Sequence, residues 1–261
     1  MFQSDELLTE VTGEIATVSF NRPKARNALT FEMYGELARI CEQLGKDDGV
    51  KALIICGAGE HAFAAGTDIA QFRGFSKPED ALAYEAEVDR VLNIVETCAV
   101  PTVAAIHGAC TGGGAAIATA CDIRIAASDL KFGFPIARTL GNCLSATSLS
   151  RIVQLIGAGR TKEIMFTSRL IQADEAQAIG LVSEILSDQQ AVMDRAQELA
   201  TLLAGQAPLT LRATREALAR LRKNVSGVDD HDLVEMCYMS SDFKEGLEAF
   251  LAKRRPVWQG K

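Results

Sequence analysis

At 261 residues, with 48% hydrophobic and 23% charged side chains, the chain is long enough for one large domain and too apolar for disorder to be its default state. A formal charge of −7 argues against nucleic acid as a general partner, because phosphate binding needs a basic surface. No stretch approaches the roughly 18 apolar residues of a spanning helix, and Met1 to Glu10 is acidic rather than basic-then-apolar, so a soluble, unexported, cytoplasmic protein with no membrane partner is expected. The seven cysteines are an odd number, widely spaced, without a C-x-x-C or a metal-spaced cluster, which fits a reducing cytosol.

In chain order, Ile15 to Phe20 and Ala52 to Cys56 are short β-rich runs. Between them Met33, Leu37, Ile40 and Leu44 share one helical face, so the segment reads strand, helix, strand. Val100 to His107 is a third strand ending at Gly108, a helix of small residues runs from Gly113 to Cys121, and Asp122 to Ala126 is a fourth strand. Continuous apolar strands alternating with helices predict an α/β fold around a buried, largely parallel sheet. Ser145 caps a helix through Ile156 before Gly157, Ala173 to Ile179 forms another before Gly180, and Leu181 to Leu186 is a short strand. From residue 189 onward the pattern is helical. There is no repeat and no linker, so residues 1–190 form the core and 191–261 a helical extension of the same domain, its apolar face packed on the core or on a neighbouring subunit.

Two glycine loops carry the chemical signal, Ala64-Ala65-Gly66-Thr67-Asp68-Ile69 and Gly108-Ala109-Cys110-Thr111-Gly112-Gly113-Gly114. Three successive glycines remove every Cβ, so backbone N–H groups approach a ligand closely, and a helix start adds partial positive charge. The plainer alternative is a tight turn with close helix–sheet packing. A dinucleotide fingerprint fails because Ile117 stands where the third glycine belongs, and a P-loop fails because no Lys-Ser/Thr follows Gly113.

Together with Asn21 to Leu29, Cys121 to Ala126, Lys131-Phe132-Gly133-Phe134-Pro135, Ala173-Asp174-Glu175-Ala176, Gly180-Leu181-Val182 and Phe250 to Arg254, these loops closely resemble the crotonase, or enoyl-CoA hydratase/isomerase, superfamily over almost the whole chain. The resemblance implies a spiral of ββα units, a C-terminal helical trimerisation region, a homotrimer or dimer of trimers, and an acyl-CoA substrate. It implies no metal or redox cofactor; coenzyme A enters as part of the substrate. It places the backbone N–H groups of Thr67 and Gly113 as an oxyanion hole for the thioester carbonyl, flanked by Ala65, Asp68, Ile69 and Gly112. It also sets Lys24, Ala25, Arg26, Phe250 and Lys253 against the CoA moiety. Solvated surface is the plain reading of the basic residues. Asp68 is expected to cap a loop or helix rather than shuttle protons, and Asp122 to be structural.

Hydratases of this family use two glutamates, which the resemblance aligns with Ala116 and Ile136, so ordinary hydration is in doubt. The unusual run Ile136 to Ser145 offers replacements. Cys143, after Gly141-Asn142, is a candidate nucleophile if the helix start at Ser145 and Arg138 favour its thiolate, or else a small buried hydrophobe with Asn142 a turn residue. Arg138 is a candidate anchor for a substrate carboxylate, or else a surface residue. Structural roles are expected for His61, His107 and His231; Glu60, Glu85 and Glu87 are further carboxylates that a mobile loop or the helix after Pro78 could bring inward, a solvated helix face being the plainer home for Glu85 and Glu87. The open alternatives are therefore a decarboxylase, isomerase or hydrolase acting on a carboxylated or aryl acyl-CoA, and a catalytically silent CoA-binding subunit.

Overall fold

The computed structural model describes residues 4–46, 49–223 and 230–260. Residues 1–3 and 47–48 of the expected core, and 224–229 and 261 of the expected helical region, lie outside the described residues.

The chain opens with β1 (Leu7–Thr12) and β2 (Ile15–Phe20), then α1 (Phe31–Gln43), capped by the Thr30 hydroxyl accepting from Met33 N–H at 3.2 Å. β1 was not legible as a strand; Leu7 opposite Phe20 sets its register, and only Leu7 and Thr9 point fully inward. Next come β3 (Ala52–Gly57), β4 (Ala62–Ala65) and α2 (Pro78–Glu96), then β5 (Thr102–Ile106), β6 (Ala109–Thr111) and α3 (Gly113–Ala120). β7 (Ile123–Ala127) and β8 (Lys131–Gly133) lead to the short α4 (Ile136–Thr139) and to α5 (Ala146–Thr167). The Ser145 hydroxyl caps α5, accepting from Ser148 N–H at 3.0 Å, and Gly157 at φ 77° interrupts its helical path where a stop was expected. The helix resumes beyond that glycine.

β9 (Ile171–Gln172), α6 (Ala173–Ala178) and β10 (Glu184–Leu186) close the core. After them come α7 (Gln189–Ala204), α8 (Pro208–Lys223), α9 (His231–Tyr238) and α10 (Ser241–Leu251). One sheet has the order β1-β2-β3-β5-β7-β10 and the other β4-β6-β8-β9. All pairings are parallel except β1 with β2 and β8 with β9, so the largely parallel sheet holds. Successive strand pairs β3-β4, β5-β6 and β7-β8 each send one strand to each sheet before a helix: the crotonase-like spiral of ββα units. The second strand of each pair has only three or four small or mixed residues, too few for a period to register.

One face of the six-stranded sheet packs on α7 through Val192, Ala196 and Ala200 against Ile15, Ile54, Val103 and Ile125. The opposite face, with α1, α2 and α3, forms the main core. α9 and α10 fold back over α2 and α4, where Val234, Tyr238, Phe243 and Leu247 meet Phe72, Ala81 and Leu140. That return places the C-terminal region beside the glycine loops.

The first turn is held by one buried amide. Asn27, at φ 56°, donates from Nδ2 to Ala58 O (2.8 Å) and Ala62 O (2.7 Å) and accepts from Arg22 N–H (2.9 Å). Asn27→Ala leaves these groups unpaired and keeps the left-handed backbone, so chemical denaturation should show a loss of roughly 2–4 kcal/mol; a loss near zero would mean that the turn holds itself.

Candidate active site

A cavity of about 490 Å³ opens where these elements converge, a volume typical of small-molecule sites. Its walls come from the turn after β2 (Ala25, Arg26), the turn after β4 (Ala65 to Ile69), α2 (Tyr84, Glu85, Val88), the start of α3 (Gly112, Gly113, Ala116) and α4 with the loop beyond it (Ile136, Leu140, Asn142). Phe250 of α10, half exposed, also lines it.

The two glycine loops meet here. Gly112 takes φ 51° and donates to Gly133 O, turning the chain so that α3 begins on the cavity wall. Leu29 N–H donates to Gly66 O and Asp68 N–H to Leu29 O, fixing the first loop on either side of Thr67. Among the described residues, the N–H groups of Thr67 and Gly113 donate to no protein acceptor. Both residues are partly buried on one cavity wall, so their unpaired N–H groups are placed to donate to a ligand oxygen. Their proximity is set by hydroxyls: Thr67 Oγ1 lies 2.9 Å from Tyr34 Oη and 2.9 Å from Tyr84 Oη. A methyl group on Gly113 would fall 1.9 Å from Tyr34 Oη and 3.0 Å from Thr67 Oγ1.

Asp68 caps the turn that follows it, accepting from Ala70 N–H at 3.2 Å, and pairs with Arg22 at 3.0 Å. Asp122 accepts from Thr102 N–H and Arg215 (both 2.7 Å), a strand-anchoring role. His107 is buried with Nε2 2.8 Å from Gly59 O, and burial lowers its pKa. These geometries match the structural roles expected.

Three sequence expectations need correction. Arg138 is exposed and is not part of the cavity lining, so it does not meet a substrate carboxylate within this chain. Cys143 turns away from the cavity toward α9, its thiol 3.7 Å from Leu233 O, and packs with Cys237. Its hydrogen bond with Cys237 and its burial push its pKa up, and Glu85 and Asp230 add to the rise, the opposite of thiolate activation. Asn142 does line the cavity, its Nδ2 3.2 Å from Tyr238 Oη and its Oδ1 buried without a partner among the described residues. Lys24 and Lys253 are exposed and outside the lining, unlike Ala25, Arg26 and Phe250.

The third correction is Glu85. It is only 6% exposed, lines the cavity, and accepts from Tyr238 Oη (2.6 Å) and Ser145 N–H (3.2 Å), whereas Glu87 is solvated and paired with Arg90. Burial is the main cause raising its pKa from 4.5 to about 7. The folded state therefore keeps a proton that the unfolded chain releases above about pH 4.5, so stability falls as pH rises through about 7, by about 3 kcal/mol in all. Asp89, also raised by burial, contributes a fall of the same sign. Thermal melts of Glu85→Gln from pH 5 to 8 should show a shallower decline than the wild type; parallel curves would show that Glu85 does not hold its proton.

Comparisons with known proteins show the family of the chain. An enoyl-CoA hydratase/isomerase family model matches residues 10–261. The short-chain-enoyl-CoA hydratase of Clostridium acetobutylicum is 32% identical over 254 residues, covering 96% of each chain. The crystal structure of an enoyl-CoA hydratase/carnithine racemase from Magnetospirillum magneticum is 36% identical with a TM-score of 0.78, covering 99% of this chain and 97% of that one. A methylmalonyl-CoA decarboxylase in complex with 2-nitronate-propionyl-CoA has a TM-score of 0.89 over 98% of this chain and 99% of that one at 24% identity, a likeness of fold. The chain belongs to the enoyl-CoA hydratase/isomerase family of the crotonase superfamily, as an acyl-CoA-processing enzyme.

Proposed function

We propose that this enzyme forms a thioester enolate on an acyl-CoA with an apolar acyl chain and moves a proton between carbons, as an isomerase, rather than adding water. The observation that carries the reading is that Ala116 and Ile136, which the resemblance aligns with the two hydratase glutamates, line the same cavity as Thr67 and Gly113. In this reading the two N–H groups receive the charge that develops on the thioester oxygen, and hydration lacks its paired carboxylates. Arg26 is the cation of the cavity lining, so a substrate carboxylate deep in the site would meet Glu85 without a counter-charge, which argues against decarboxylation. Arg26, with Lys24 and Lys253 beyond the lining, is assigned to the CoA phosphates; coenzyme A arrives as part of the substrate and no further cofactor is needed. Leu209, Leu218 and Leu221, exposed along α8, support a trimer or a dimer of trimers.

The test is a turnover panel followed by mass spectrometry: crotonyl-CoA and longer 2-enoyl-CoAs, 3-enoyl-CoAs, and malonyl-, methylmalonyl- and aryl-CoA esters. Conversion of 3-enoyl to 2-enoyl esters, with water addition slower by at least roughly 10²-fold, is expected. Robust hydration, or loss of CO₂ from the carboxylated esters, would overturn the reading.

A further inference from the structure

We propose that Glu85, on α2, is the proton-transferring group of this site, taking a proton from C2 of a 3-enoyl-CoA and returning it to C4. The proposal rests on the isomerase reading above. It starts from placement: Tyr84 and Glu85, consecutive residues of α2, both line the cavity, and the Tyr84 hydroxyl is 2.9 Å from the side-chain Oγ1 of Thr67, so the carboxyl opens on the same cavity as the two unpaired N–H groups. Asp68, the other carboxylate of the lining, is neutralised by the Arg22 guanidinium, whereas the two donors to Glu85, Tyr238 Oη and Ser145 N–H, are uncharged.

The surroundings suit a group that gains and loses a proton. Among the described residues, Glu85 has no cationic hydrogen-bond partner and accepts from the Tyr238 hydroxyl of α9 and the Ser145 N–H at the start of α5. The charged groups facing it are Asp89 on its own helix and Asp230 before α9, both acidic, with Arg151 of α5 acting on Asp89; the remaining titratable neighbours are Tyr34, Tyr84, Tyr238 and Cys143. Burial and the adjacent acids hold its ionisation near neutral pH, where a carbon acid–base catalyst is most effective. A glutamate kept only for structure would leave this cost uncompensated, since glutamine would serve the same two donors less expensively.

The step balances without a co-reactant. The Glu85 carboxylate removes a C2 proton, the C–H electron pair spreads into a dienolate whose negative charge sits on the thioester oxygen between the Thr67 and Gly113 N–H groups, and the carboxyl's new O–H delivers the proton to C4 as the C2–C3 double bond forms. Tyr238 is a positioning residue: its hydroxyl stabilises the ionised carboxyl.

The experiment uses the full chain with trans-3-hexenoyl-CoA and crotonyl-CoA. Glu85→Gln should lower kcat for isomerisation by roughly 10²–10⁴-fold with KM within about threefold of wild type. Tyr238→Phe should move the acidic limb of the kcat profile to higher pH while its plateau stays within a few fold. Circular dichroism and a melt at pH 8 establish that both variants fold. Isomerisation retained in Glu85→Gln would overturn the role of Glu85 and leave the isomerase reading standing. A wild type that hydrates crotonyl-CoA without isomerising would overturn that reading; Glu85 then stands if the variant loses hydration and falls if it keeps it. A wild type that turns over neither ester would overturn both.

Discussion

Gly113→Ala is expected to lower turnover by roughly 10²–10³-fold or more, the cost of losing one oxyanion donor. The added methyl would sit 1.9 Å from Tyr34 Oη, inside any tolerable contact, and 3.0 Å from Thr67 Oγ1. Tyr34 is fully buried between α1 and the cavity, and burial holds its hydroxyl protonated, with a pKa near 12, so it has little room to retreat. Relief comes by rotating the Gly113 peptide or by pushing Tyr34 and Thr67 apart, and either movement spoils the convergence of the two N–H groups. Steady-state kinetics with a CoA thioester, alongside a melt, separate this from unfolding. A folded variant with wild-type kcat would remove Gly113 from the oxyanion site.

The largest stability effect is expected from Glu96→Ala, a loss of roughly 3–5 kcal/mol, because it strands two buried guanidinium groups. Arg151 of α5 and Arg222 of α8 are each about 1% exposed at the side chain, and both reach the Glu96 carboxylate. Asn93, one turn earlier on α2, accepts from Arg151 at 2.8 Å and from Arg222 at 3.1 Å. Without Glu96 the two positive charges keep neutral acceptors, the Asn93 amide oxygen shared between them with Thr147 O for Arg151 and Ser150 Oγ for Arg222, and α8 loses one of its anchors to the core. Urea unfolding should show a lower midpoint with an unchanged slope. A change below about 1 kcal/mol would mean that water or Asn93 alone satisfies the pair.

The close approach of the two glycine loops was legible because its signal lies in the backbone. A run of three glycines reports a close approach directly, and Gly113 and Gly114 meet Tyr34 and Ala64 O where any Cβ would collide. Thr67 followed from the matching loop. Glu85 was misread because its burial depends on a hydroxyl from Tyr238, 153 positions away, and on α9 folding back over α2. A local signal existed: Glu85 falls in phase with Ala81, Val88, Leu92 and Val95, the buried face of its helix, whereas Glu87 does not. Arg138 and Cys143 were attractive through sequence position alone, and the direction α4 and α9 give them was not encoded in any nearby period. The short strands β4 and β6, which lead into the glycine loops, and β8, which pairs with β6, were missed for their length.

The most direct measurement of the central claim, that the site makes a thioester enolate without adding water, is proton NMR of butyryl-CoA incubated with the enzyme in D₂O. The account predicts loss of the C2 proton signal, no exchange at C3, and a rate that collapses in Gly113→Ala. Bound butyryl-CoA with an intact C2 signal, together with 3-hydroxybutyryl-CoA formed from crotonyl-CoA, would contradict it.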